Sequence, residues 1–476
     1  MAIVYRFFRD LRLDDHAGLA EASKHGTIVP ALVLDDRLTR RIKSSPRRAA
    51  FFCGAVSALD SLLRERGSRL VVRRGELPAT VRQIARESGA HAVAWSASYD
   101  DVGRVLEQQM ARELEDDGLR AVMVHDAPAI PPTQTTAAHS AGAQGYRSLA
   151  PYLEVWKACE PALFEAPLLL RFTTSAPWGE PVPAAPEFGV VENDPSATPQ
   201  EANAKLQQFL TRWALQYSIA TNIPSAEGTS RLSTHLSFGT ISARTVLRAT
   251  LERCHDSFLL AEERASLKRY LRSIATRDFF LQLRWYHPQT HSQPLQEKMR
   301  NFTFASDHPQ LGAWLQGRTG FHLIDAGVRQ LRQTGWMHPG VRAVAASFLC
   351  FDLGVDWKIG REEWDRYLVE DDEALATGNW QWIGGVGADM VAYPRIYNPQ
   401  RQALRFDPAG QYVRRWLEEV RGLPGDGHAR SNQSQLPLFA PTDYAPPIVD
   451  HAAAAREFLD RYTRYVKQAD VDPASH

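Results

Sequence analysis

The hydrophobic period of this 476-residue chain changes once along its length, and that change limits the folds open to it. Over residues 1–130, short apolar runs at Ala2–Phe7, Ile28–Leu34, Leu70–Val72, Ala92–Trp95 and Ala121–Val124 alternate with helix-patterned stretches such as Arg47–Arg66 and Leu77–Glu87. Continuous apolar runs of this kind suit strands buried on both faces. Their alternation with amphipathic helices predicts a doubly wound parallel sheet. From residue 203 the spacing turns helical, with candidate helices at Ala204–Ala214, Ala243–Cys254, Ala261–Leu283, Leu323–Gln333, Val341–Phe351, Glu362–Leu368, Tyr412–Leu417 and Ala453–Tyr465. No repeat of fixed period is visible, so this half is an irregular helical domain and not a solenoid. Residues 131–202 between them are rich in Pro, Ala, Gly, Thr and Gln around a helical island at Tyr146–Cys159, and read as a long linker. The expected architecture is therefore α/β plus all-α: a sheet domain over 1–130, a linker over 131–202 and a helical domain over 203–476. A second loose stretch, Pro424–Pro447, precedes the last helix.

Several function classes drop out. No segment approaches the ~20 continuous apolar residues of a membrane span, and the start, MAIVYRFFRDLRLDD, lacks the apolar core and cleavage site of a signal peptide, so a cytoplasmic protein with no membrane partner is expected. Cys53, Cys159, Cys254 and Cys350 lie far apart with no CxxC pair, which argues against a metal centre and a disulfide framework and for buried free thiols. No GxGxxG follows the first strand and no GxxxxGK[ST] occurs anywhere, so the usual phosphate loops are absent. Lys plus Arg equals Asp plus Glu at 55 each, yet between Arg212 and Arg342 there are 17 basic against 9 acidic residues. Such a bias fits a DNA-binding basic face or an ordinary solvated helical surface.

Four groups of residues offer chemistry. Glu227–Ser242, EGTSRLSTHLSFGTIS, sets hydroxyls and backbone donors before a helix, either to hold phosphate oxygens or simply to cap the helix through Thr229 or Ser230. Tyr270, Ser273 and Arg277 share one helical face with Thr276 at its edge, which suits a flat polar ligand or water. His338 and Arg342 sit four apart, and the acidic group Glu370, Asp371 and Asp372 follows; an Arg–carboxylate pair there could be structural or could leave a carboxylate for a ligand. Finally, Trp336, Trp357, Trp380 and Trp382 fall within one apolar region, as core or as a line for electrons.

Read together, these segments resemble the DNA photolyases and cryptochromes over nearly the whole chain. The resemblance runs through VYRFFRDLRLDDHAGL, YRSLAPYLEVW, EGTSRLSTHLSFGTIS, GRTGFHLIDAGVRQLRQTGWMH, ASFLCFDLGVDW, NWQW, RIYNPQRQALRFDPAGQYVRRW and DYAPPIVDH. It implies a helical domain that binds a U-shaped FAD and, in many members, a folate or deazaflavin antenna near the first domain. By this resemblance Tyr217 lies over the FAD phosphates, and Thr229, Ser230, Leu232 and Ser233 match the diphosphate turn. Arg277 matches the family's motif Arg contacting the cofactor, and Tyr270, which shares its helical face, is counted as a cofactor-binding candidate with it. Trp336, His338 and Arg342 match the pocket helix, and Glu370 stands where the family usually has an Asp paired to that Arg. Asp372 matches the carboxylate near the flavin ring, and Ala376 falls at the position facing flavin N5. Trp380 and Trp357 match the first members of the electron-transfer chain, and Trp382 the aromatic at the mouth.

The same resemblance exposes departures on the DNA side. The lesion-contacting Glu becomes Ser273, the stacking Trp becomes Thr276, an Asn-Arg pair becomes Pro339-Gly340 and a lesion-facing Met becomes Ala343. Ala376 can neither donate a proton nor accept a hydrogen bond, and the surface member of the electron chain aligns with Phe304, so that either another aromatic such as Tyr270 or Trp285 substitutes or photoreduction is slow. The expectation is a blue-light-absorbing FAD protein, a photoreceptor or atypical photolyase-like protein, with pyrimidine-dimer repair by reduced FAD as the alternative. DNA through the basic face and a signalling partner are the partners in view.

Overall fold

The computed structural model of the chain describes residues 1–137, 145–162, 170–389, 394–421 and 444–471. Parts of the expected linker, 138–144 and 163–169, and most of the expected loose stretch at Pro424–Pro447 lie outside the described residues. Two compact units carry the rest. The first comprises Met1–Leu215, Ser230–Pro288 and Val369–Leu375, and the second Gln216–Thr229, Gln289–Leu368 and Ala376–His476.

In the first unit, β1 (Ala2–Phe7), β2 (Thr27–Leu34), β3 (Val71–Arg74), β4 (Ala90–Ser96) and β5 (Arg120–Val124) form one sheet in the order β3-β2-β1-β4-β5. Every pairing is parallel. The central strand is enclosed, with Ile3, Val4, Tyr5 and Phe7 fully buried, as expected of a sheet covered on both faces. Helices α1 (Pro46–Glu65), α2 (Leu77–Glu87) and α3 (Asp101–Asp116) connect strands. α1 opens on Pro46 in its first turn, where a missing N–H costs nothing. In α3 the Asp100 carboxylate caps the start by accepting the Gly103 N–H at 2.7 Å. Beyond the linker, α4 (Ala243–Cys254) and α5 (Ala261–Tyr286) complete the unit. Strand order reverses between β1 and β4, so the carboxyl ends of these two strands form the crevice where open α/β sheets bind ligands.

The second unit is helical: α6 (Leu311–Gln316), α7 (His322–Thr334), α8 (Pro339–Ser347), α9 (Trp357–Asp365), the part of α10 (Glu373–Ile383) from Ala376 on, α11 (Gln411–Trp416) and α12 (His451–Val471). Its core gathers Trp314, Val341, Phe348, Leu349 and Val413. The helix expected over Val341–Phe351 starts earlier, at Pro339, and changes to a π-turn over Phe348–Asp352. The one expected at Glu362–Leu368 starts at Trp357, because Asp356 accepts the Lys358 N–H and caps it there. All four cysteines are free thiols, Cys53 and Cys350 buried, Cys159 and Cys254 half-buried.

Candidate flavin site

Unit 1 brings together two pairs of expected site residues. On α5, the Arg277 guanidinium is buried, donates to the carbonyls of Ala127 (2.7 Å) and Leu236 (3.3 Å), and lies 3.7 Å from Asp372. Burial raises the Asp372 pKa and Arg277 only partly opposes it, so this carboxyl holds its proton more readily than an exposed one. Both residues line a cavity of about 50 Å³ with Arg9, Ser98 and Tyr99, at the carboxyl ends of β1 and β4. In the second pair, the Ser233 hydroxyl donates to Glu370 at 3.1 Å. Leu232 is buried at the start of the short helix Ser233–Phe238, and Ser230 is half-buried. Tyr270 lies elsewhere: its ring packs on Phe209 at 4.5 Å and is 5% exposed, part of the core more than of an open face.

Between Glu370 and Asp372 sits a residue that the sequence showed but gave no role. Asp371 is fully enclosed and accepts from Arg9 Nη2 at 2.5 Å and Arg41 Nε at 2.9 Å. Burial pushes its carboxyl up, and Arg9, Arg41 and Arg48 more than reverse that, leaving it well below the usual carboxylate range. Glu373 continues the network to Arg284, at 3.1 Å. The segment carrying Glu370 and Asp372 is thus pinned to the sheet domain by buried charge. On α5 itself, Asp278 accepts the Ala129 and Ile130 N–H groups and the Trp156 indole N–H, and burial lifts its pKa to about 6 against these bonds and Arg277.

Unit 2 holds the remaining residues. Thr229 Oγ1 is buried with no hydrogen-bond partner among the described residues, the kind of orphan that a bound ligand satisfies, and Tyr217 is half-buried at the head of a four-residue helix. At the start of α8 the His338 ring accepts the Gly340 N–H at 3.2 Å, and the His338 backbone N–H donates to Gln330 Oε1 at 3.2 Å, which also accepts from the Tyr412 hydroxyl at 2.7 Å. Trp336 meets His338 edge-on at 6.2 Å. Arg342 Nε donates to the Met337 carbonyl at 2.8 Å. Pro339 occupies the first turn of α8, and Gly340 packs so tightly that a Cβ there would sit 3.0 Å from Phe406. Ala376 is half-buried, and Trp382 lines a cavity of about 220 Å³ with Asn379, Tyr397 and Tyr462.

The indoles separate into two groups. Trp357 lies under the Arg361 guanidinium at 5.3 Å, while Trp380 packs on Trp364 at 4.6 Å and on Trp314 at 6.5 Å. Sequence reading passed over Trp364 and Trp314. The signal was faint: Trp364 falls seven residues after Trp357 on the same helix, two turns on. Phe304 sits among hydrocarbon rings, 5.1 Å from Phe302 and 6.1 Å from Phe458.

Comparison with known proteins accords with this arrangement. Residues 3–168 match the family model described as DNA photolyase, and residues 270–464 match the FAD binding domain of DNA photolyase. The deoxyribodipyrimidine photo-lyase of Synechococcus sp. is 30% identical over 486 residues, covering 99% of this chain and 98% of the relative. A crystal structure of a class III photolyase from Agrobacterium tumefaciens superposes with a TM-score of 0.84 at 29% identity, covering 98% of both chains. A Synechocystis sp. cryptochrome shares the fold, with a TM-score of 0.85 at 23% identity over 97% of this chain and 98% of the other. With an FAD-binding domain of photolyase type, and likeness to relatives over almost its full length, the chain belongs to the DNA photolyase/cryptochrome family.

Proposed function

We propose that this protein is a blue-light-absorbing FAD flavoprotein acting as a photoreceptor or atypical photolyase-like protein, with a sheet domain over 1–130, a linker over 131–202 and a flavin-binding helical domain over 203–476. The residues fit the cofactor. Thr229 Oγ1, buried without a partner, is a donor for a diphosphate oxygen, with Ser230, Leu232, Ser233 and Tyr217 completing that turn. Arg277, Trp336, His338, Arg342, Glu370 and Asp372 would hold the remainder. When bound, FAD supplies light absorption and one-electron chemistry. Asp372, its pKa raised by burial, takes up a proton more readily than an exposed carboxyl, although Arg277 opposes this. Ala376 offers no proton of its own.

One observation carries the choice of an atypical member. At the positions where the resemblance expects a lesion-contacting carboxylate and a stacking indole, the hydroxyls of Ser273 and Thr276 donate back to their own helix, to the carbonyls of Tyr270 (2.6 Å) and Arg272 (2.8 Å). Extruding a dinucleotide from duplex costs a few kcal/mol, and each aromatic stack returns ~1–3 kcal/mol. Losing the stack and the carboxylate removes support on the scale of the extrusion cost. Reduced protein illuminated with a dimer-bearing oligonucleotide should leave the lesion intact, and efficient splitting would overturn this reading.

The names of the curated relatives favour the second reading, light-driven repair of pyrimidine dimers by reduced FAD. DNA would be the partner in that case, through the basic residues between Arg212 and Arg342, and its affinity would fall steeply with salt. A folate or deazaflavin antenna, if carried, would add an absorption band to that of the flavin.

A further inference from the structure

The path that the family resemblance implies for oxidising equivalents runs from Trp380 through Trp357 to the position of Phe304. It is poor at both later steps. The Arg361 guanidinium stands 5.3 Å over the Trp357 ring, and a cation on the π-face opposes formation of an indole radical cation there. Phe304, packed against Phe302 and Phe458, is far harder to oxidise than any indole.

A second group of rings meets Trp380 in the same unit. Trp364 lies 4.6 Å from it, and Trp314 stacks on Trp364 at 5.6 Å with the planes only 13° apart. Gly360, one turn before Trp364, makes this packing possible: a Cβ there would sit 2.3 Å from Trp380 Cη2. Trp314 is fully buried, with its indole N–H donated to the Ala345 carbonyl at 3.0 Å, and Trp364 is 6% exposed. Among the described residues no cation stands over either ring, and two near-parallel indoles share a positive hole better than one.

The group also has a way out. Tyr367, in the turn just beyond the end of α9 and three residues after Trp364, donates its N–H to the Trp364 carbonyl at 3.0 Å and packs half-buried against the same core. Its ring lies 5.1 Å from the Arg332 guanidinium, and with Arg318, Arg332, Gln316 and Glu363 it lines an open cleft of about 410 Å³. A phenol at water can shed its proton on oxidation, which removes the charge that Arg332 would repel.

We propose that oxidising equivalents leave Trp380 through the Trp364–Trp314 pair and come to rest on Tyr367, where the Arg318 and Arg332 cleft recruits a small anionic one-electron reductant such as a thiolate. The origin of the hole rests on the flavin reading above; the relay itself does not. With FAD bound, Trp380 would give up one electron to the excited flavin; one from the indole pair then refills Trp380, and one from Tyr367 refills the pair as its phenolic proton goes to water. A thiolate then returns an electron to Tyr367, which takes back a proton, and leaves as a thiyl radical.

Time-resolved absorption and EPR of the FAD-loaded full chain under blue light test this. Wild type and Trp357→Phe should both end in a tyrosyl radical, Tyr367→Phe should stop at a long-lived tryptophan radical, and Trp364→Phe should lose the tyrosyl signal. A tyrosyl signal that survives Tyr367→Phe, or one abolished by Trp357→Phe, overturns the proposal. The conservative substitution Tyr367→Phe, which removes only a hydroxyl, keeps the test open if Trp364→Phe fails to fold. A flavin-free arm separates the relay from the flavin reading: pulse-radiolytic oxidation of the chain by azide radical should pass from tryptophan to tyrosine in wild type, with that phase lost in Tyr367→Phe. Identical traces in the two proteins would overturn the relay whether or not the chain binds flavin, whereas an absent flavin with the phase intact overturns only the flavin reading.

Discussion

Asp371, at the centre of the segment Val369–Leu375 in unit 1, and the indole cluster in unit 2 are both buried, yet opposite physics holds them. Asp371 is enclosed and takes a separate Arg on each carboxylate oxygen, so its place is set by directional, charge-assisted bonds. Trp314, Trp364 and Trp380 are held by ring packing, with the Trp314–Ala345 hydrogen bond as a polar anchor. A charge network fixes its neighbours, here Glu370 and Asp372, in one orientation but fails as a whole when one member is lost. Packed rings tolerate small adjustments, which suits a group that has only to pass an electron. The network serves geometry and the cluster serves proximity.

Asp371→Asn gives the sharpest test of that contrast. Removing the carboxylate leaves Arg9 with Asp100 and Arg41 with Glu373 as their remaining acidic partners, and should cost about 3 kcal/mol in a denaturant titration, the lower end for a broken buried pair. Its pH signature follows from the depressed pKa of Asp371. A carboxylate held low stabilises the fold fully above its unfolded pKa of about 4, and that contribution drains away as pH falls towards the folded value. The gap between wild type and Asp371→Asn should therefore be constant from neutral pH to about pH 5 and narrow below that. A gap that ignores pH would mean that packing, not charge, holds the segment.

Gly360→Ala probes the other side. The new Cβ would meet Trp380 Cη2 and Leu349 Cδ2, so Trp380 must shift or the helix must bend, at a cost of ~1–3 kcal/mol. No ionisable group takes part, so the loss should be the same at pH 5 and pH 8, and the near-ultraviolet circular dichroism of the indoles should change with it. Loss of that band without loss of stability would show the cluster to be looser than its ring distances imply.

Thr276→Trp carries the contrast to function. It restores an indole on the exposed side of α5, and each aromatic stack on a base is worth ~1–3 kcal/mol. Affinity for a dimer-bearing single strand, measured by fluorescence anisotropy, should rise by that margin over affinity for an undamaged one. Equal gains for both strands would indicate a non-specific stack.

Much of the fold was legible because it follows from local pattern. The strands are continuous apolar runs and emerge at nearly their expected bounds, and the helix at Leu77–Glu87 is where its periodicity put it. The site was legible only in pieces. Asp371 stood in plain view as part of an acidic turn, but its partners Arg9 and Arg41 lie 362 and 330 residues away, and no local rule connects them. The Trp364–Trp314 stack joins α9 to α6 through a tertiary contact that depends on a glycine, and helical spacing alone does not reveal it. Tyr270 shows the converse: it shares a helical face with Arg277, yet Phe209, on the distant helix Pro199–Arg212, packs on its ring.

The smallest expected effect is the most diagnostic of ligand binding. Ser233 donates to Glu370 at 3.1 Å near the surface, and a hydrogen bond open to water contributes only ~0.5–1.5 kcal/mol at most. Ser233→Ala should therefore leave the melting temperature almost unchanged. If Ser233 belongs to a diphosphate turn, the same substitution removes a donor from a bound anion and leaves Glu370 without its hydroxyl partner, so retention of FAD through gel filtration should fall although the fold does not weaken. Thr229→Ala gives the matched control in unit 2, because among the described residues Thr229 Oγ1 has no hydrogen-bond partner to lose. Both variants losing flavin at unchanged stability would mark these hydroxyls as ligand donors. If Ser233→Ala alone destabilises the chain and neither variant loses flavin, the hydroxyls are structural, and the diphosphate must be sought on another turn.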